Sequence, residues 1–164
     1  MELKIKDIAL IAVLSAILVV LQIALNFLPN IHLVSLLIIV YSLVLGRKTL
    51  YIIYIFALLQ GVIYGFGIWW IMYLYVWTIL FLIVRIFKKN ESTIIWAVIS
   101  AFHGLAFGAL CSIPYFIIGG IGAGIAWWIA GIPFDIVHGI SNFIIALLLF
   151  RPTYMIMTRL SDRY

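Results

Sequence analysis

The stretch GIPFDIVHGISNF, residues 131–143, places a carboxylate, an imidazole and a carboxamide in otherwise apolar surroundings. Asp135, His138 and Asn142 are spaced i, i+3 and i+7, which puts them within about 60° on one face of a helix. Such a stripe can accept and donate hydrogen bonds to a polar ligand, and Asp135 with His138 has the makings of an acid/base pair. His103 supplies a second imidazole, Gln60 and Tyr64 form an i, i+4 polar pair, and Gln22 and Asn26 form another. Catalysis finds little else to work with. HExxH, GxSxG and GxxxxGK[ST] are all absent, and a lone Asp/His pair is a weak signal. His32, His103 and His138 lack close ligand spacing, so no metal site is expected, and no cofactor motif is present.

The elements that must carry these groups are set by composition. Of 164 residues, 68% are hydrophobic and 9% charged, with a mean hydropathy of +1.33. An all-α integral membrane protein is expected, a single domain over 1–164 in contact with lipid on its flanks. Six transmembrane helices are read at 8–27, 32–46, 49–66, 69–87, 94–117 and 133–150. The first apolar run ends in NFLPN rather than in a small-residue cleavage site, so it is read as a retained helix. Cys111, the only cysteine, allows no internal disulfide and reads as a small core residue.

With an even number of crossings both termini share a side. All 10 basic residues then fall on that side: Lys4, Lys6, Arg47, Lys48, Arg85, Lys88, Lys89, Arg151, Arg159 and Arg163. By the positive-inside rule both termini are cytoplasmic, and the +5 charge reflects topology rather than nucleic acid. The opposite connections carry no Lys or Arg. The longest of them, 117–131, contains Gly119, Gly120, Gly122 and Gly124, a density that disfavours continuous helix. It reads as a mobile flap over an outward pocket or as a structural re-entrant hairpin, and both readings stand.

Pro133 suits the first turn of the sixth helix, which would set Asp135 near a positive helix end at the outer surface. His138, Asn142 and His103 follow toward the middle. Trp69, Trp70, Tyr73, Trp127 and Trp128 lie near the outer boundary, where interfacial anchoring explains most of them. Adjacent tryptophans point about 100° apart, so one of each pair is free to face inward and stack on a planar ligand. Asp135, costly to bury, is read as a ligand contact. Gln22 and Asn26 are read as interhelical hydrogen bonds.

On the first helix, ALIAVLSA sets Ala9, Ala12, Ser15 and Ala16 on a narrow small-residue face, with Ala12 and Ala16 as a small-xxx-small pair. GLAFG, 104–108, is a second such pair, read as internal packing. Size, topology, this AxxxA and GIPFDIVHGISNF together resemble the S component of an energy-coupling-factor (ECF) vitamin transporter. The resemblance implies a bacterial cytoplasmic-membrane subunit, not itself an enzyme, that captures a vitamin-like small molecule. It further implies docking through Ala12 and Ala16 onto a transmembrane coupling protein driven by two ATPase subunits. The ligand would lie between the first outer loop NFLPNIH, with Asn30, the loop after the third helix, and the outer parts of helices four to six. One carboxylate with His, Asn and many Trp, and no outer cation, suits a planar nitrogenous ring: nucleobase, nucleoside, pyrimidine precursor or deazapurine. Cobalamin stays open. A small membrane enzyme, or an interaction protein using the polar cluster for packing, is the alternative.

Overall fold

The computed structural model describes residues 3–161, which are helical wherever they are regular. Arg163, counted above with the basic residues, lies outside them. Helix α1 spans Ile5–Ala24, α2 Val34–Val44, α3 Thr49–Tyr64, α4 Ile68–Phe87, α5 Thr93–Cys111 and α6 Ile113–Ser161, with a 3-10 turn at Gly46–Lys48 before α3. Five stretches are long and apolar enough to cross a membrane: Ile5–Ala24, Gly46–Tyr64, Ile68–Phe87, Thr93–Cys111 and Ile113–Ser161. The chain is thus read as a multi-pass, all-α membrane protein. α2 differs: its 11 residues cover only about 16 Å. Every residue from Val34 to Ser42 is buried, as expected of a helix that is apolar all round.

The glycine-rich segment departs from expectation. Rather than a loop, 117–131 is helix, and α6 is broken only at Gly120 (φ 77, ψ −175). In lipid, backbone N–H and C=O groups have no water to turn to, so even a glycine-rich run gains by closing its own hydrogen bonds. The glycines also make room. A Cβ on Gly124 would run into the ring of Phe116 on the other side of the break, and one on Gly119 into Ala123. The chain therefore turns back at Gly120, and 121–161 returns along α5 as a rod of about 60 Å.

Two corrections follow. Pro133 sits inside α6 and not in a first turn, so Asp135 has no helix N-terminus beside it. Ser15 does not share the outward face of Ala9, Ala12 and Ala16. It is buried, donates to the carbonyl of Ile11 at 2.8 Å and approaches that of Ile52 in α3 at 3.4 Å. Ala9, Ala12 and Ala16 remain exposed.

The α5–α6 seam brings two backbones into close approach. A Cβ on Gly104 would lie 2.9 Å from the Cα and N of Gly139 and from the carbonyl carbon of His138. The bases gather at one end of the bundle: Lys48 pairs with Asp7 at 2.6 Å, Arg85 reaches the Ser42 carbonyl at 3.5 Å, and Lys88, Lys89 and Arg151 line one cavity. Asp7 also accepts from the backbone N–H of Lys4 at 3.1 Å, which fixes the first turn of α1.

Candidate functional site

The polar stripe of α6 faces inward. Asp135, His138 and Asn142 are 6%, 2% and 1% exposed, and each meets a different neighbour because they descend the helix by two turns. Asp135 is set against α5, where its Oδ1 accepts from the backbone N–H of Gly108 at 2.9 Å. Glycine is required at that partner, since a Cβ there would collide with the carboxylate. Its Oδ2 has no partner. Asn142 donates to Ser35 Oγ at 3.1 Å and to the Ser100 carbonyl at 3.2 Å, tying α6 to α2 and α5.

Between these two anchors lies a cluster of rings. His138 meets His32 edge-on, ring centroids 4.6 Å apart, and Phe107 at 5.0 Å. Trp77 of α4, 1% exposed, stands 5.6 Å from His103 and 6.0 Å from His32. His32 reaches this depth because the connection between α1 and α2 dips into the bundle. There the carbonyl of Asn30 accepts from Ser141 Oγ at 2.8 Å, and Asn30 itself adopts φ 60, a left-handed conformation that asparagine tolerates better than most residues.

The hydrogen-bonding capacity of this cluster is largely unspent. His103 Nε2 lies 3.2 Å from the Val76 carbonyl. His103 Nδ1, His32 Nδ1, Trp77 Nε1 and both ring nitrogens of His138 are buried without a partner. Each such group costs on the order of 1–3 kcal/mol relative to a satisfied one, so the core holds donors and acceptors positioned for something further. Among the described residues no three His, Cys, Asp or Glu side chains converge to hold a metal.

Toward the other end from the bases, Gln22, Asn26, Gln60, Tyr64, Trp69 and Tyr73 line a depression of about 210 Å3. Tyr73 connects the two places, with its ring 5.4 Å from Trp69 and 5.7 Å from Trp77. Of the residues singled out from sequence, His103 and His138 thus share the ring cluster, and Gln60, Tyr64, Trp69 and Tyr73 share the depression above it. Trp70 turns away to donate to the Ala57 carbonyl at 2.9 Å. Neither Trp127 nor Trp128 enters: they are 45% and 43% exposed, and Trp127 stacks on Tyr115 at 4.0 Å. His32 and Trp77 join the cluster although neither is among the ligand contacts expected from the sequence. The signal for Trp77 was its position four residues after Tyr73, on the same face of α4.

No protein-family model matches this chain, and neither a curated protein nor a solved structure matches it significantly.

Proposed function

We propose that this chain is the substrate-binding membrane subunit of an ECF-type transporter, taking up a vitamin-like molecule with a planar nitrogenous ring or cobalamin. In this reading the chain crosses the bacterial cytoplasmic membrane six times with both termini inside. α2 supplies the sixth crossing from within the bundle, where connections of irregular backbone are tolerated because protein, not lipid, surrounds them. The gathering of bases at one end supports the orientation. The exposed Ala12 and Ala16 form the face that docks on the coupling protein, and partner ATPases supply the energy.

The observation that carries the reading is the set of unpartnered ring nitrogens on His32, Trp77, His103 and His138, lying beneath the depression lined by Gln60, Trp69 and Tyr73. A ring compound with N–H and C=N groups offers these nitrogens partners, and the surrounding aromatics offer it faces to stack on. Native mass spectrometry of the purified protein tests this directly: a co-bound small molecule lost in His138→Phe supports it. No ligand in native material, together with purification that never yields a coupling protein and two ATPases, would count against it.

A second reading draws on the internal bonds of Asp135 to Gly108 and of Asn142 to Ser35. These favour a membrane interaction protein in which the stripe serves packing. Unchanged ligand affinity with a large loss of stability in Asp135→Ala would select it.

A further inference from the structure

At the basic end, the turn between α4 and α5, together with α5, α6 and Leu43 of α2, lines a cavity of about 410 Å3 that has no part in the site above. Its rim carries Lys88, Lys89 and Arg151, opposed by the single carboxylate of Glu91. Its floor is a run of stacked rings: Trp96 on Phe150 at 6.0 Å and 25°, and Phe150 on Tyr154 at 5.6 Å and 15°. Trp96 Nε1 donates to the Asn90 carbonyl at 3.2 Å, and Asn90 Oδ1 accepts from the Ser92 N–H at 3.0 Å. The turn that presents the lysines is therefore pinned to the floor. None of the three cations forms an ion pair among the described residues, where the single such pair is Lys48 with Asp7.

Topology signals alone require bases near the boundary, but neither a concavity nor an aromatic floor. We propose that this cavity binds the phosphodiester headgroup of an anionic glycerophospholipid. Three cations against one carboxylate leave a net attraction for a phosphate, and arginine offers it paired donors. Basic pockets between helices at a membrane boundary bind such headgroups. The lipid source is favoured over free phosphate by what flanks the pinned turn: Ile86 and Ile94 are 76% and 61% exposed, an apolar margin on which acyl chains lie.

The test is native mass spectrometry of the full chain in nanodiscs of equal phosphatidylglycerol and phosphatidylcholine. At about fivefold per charge, the net of two cations predicts one retained phosphatidylglycerol favoured roughly 25-fold. Lys88→Ala, Lys89→Ala or Arg151→Ala each lowers the preference about fivefold, and Glu91→Gln raises it by a similar factor. Arg47→Ala, an exposed base outside the cavity, leaves it unchanged. Equal retention of both lipids by the parent chain overturns the proposal, as does an Arg47→Ala loss equal to that of the rim variants. Displacement of phosphatidylglycerol by millimolar inorganic phosphate would assign the cavity to a free anion and overturn the lipid source.

Discussion

Replacing Gly104 with alanine tests whether the α5–α6 seam sets the position of the histidine cluster. The new Cβ would stand 2.9 Å from three backbone atoms of His138 and Gly139. Backbone atoms cannot rotate away, so the helices must part by several tenths of an ångström. Overpacking of this kind costs about 1–3 kcal/mol, against which alanine returns about 0.8–1 kcal/mol of helix propensity over glycine. Gly122 is the matched control. It lies in the same helical hairpin and a Cβ there meets nothing within 4 Å, so Gly122→Ala collects the propensity gain alone. The two variants should differ by about 1–3 kcal/mol, or roughly 2–12 °C in melting temperature for a chain of this size. Thermal unfolding in one detergent, followed by tryptophan fluorescence, reads the difference. Trp77 beside His103 also makes its emission sensitive to displacement of the cluster. A Gly104→Ala variant as stable as Gly122→Ala would refute the claim that these backbones are in contact.

His138→Phe replaces a ring with two unpartnered nitrogens by one that needs none, so apo melting temperature should hold or rise while ligand affinity falls at least tenfold; a drop in both would make His138 a packing residue. Asp135→Asn keeps an acceptor for the Gly108 N–H but removes the charge. If the carboxylate meets ligand, calorimetry should show binding weakened by about 1.5–3 kcal/mol with apo stability unchanged or improved; unchanged affinity would exclude the contact. Ala12→Trp or Ala16→Trp, on exposed positions, should abolish transport in cells while leaving ligand binding and melting temperature intact, and lost binding would sink the docking role.

The inward stripe of α6 was legible because helical period is a local property: Asp135, His138 and Asn142 had to share a face, and burial of a lone carboxylate demanded a partner. Its partner, an amide N–H of α5, was not legible, because nothing in GLAFG announces which helix will lie against it. His32 was missed for a related reason. Its depth depends on a connection folding into the bundle, and depth is a property of tertiary structure. The helix over Gly119–Gly124 shows where water-based propensities are outweighed. Glycine's entropy cost is real, but a backbone with no water to bond to has no competing state of comparable energy. α2, read at 32–46, is helical only over Val34–Val44; its burial from Val34 to Ser42 depends on the helices packed round it, which its uniformly apolar sequence does not reveal.

The two prolines of α6, Pro133 and Pro152, each remove a backbone N–H and leave the carbonyl four residues earlier, at Ile129 and at Leu148, without its helical partner. They stand 19 residues apart in the sequence, about 28 Å along the rod, close to the thickness of the hydrocarbon layer. Between the two gaps every backbone N–H has a carbonyl one turn back to bond, so the ladder runs unbroken over a length comparable to that of a membrane core. The two prolines are thus the points at which the rod can bend, with a stiff segment between them.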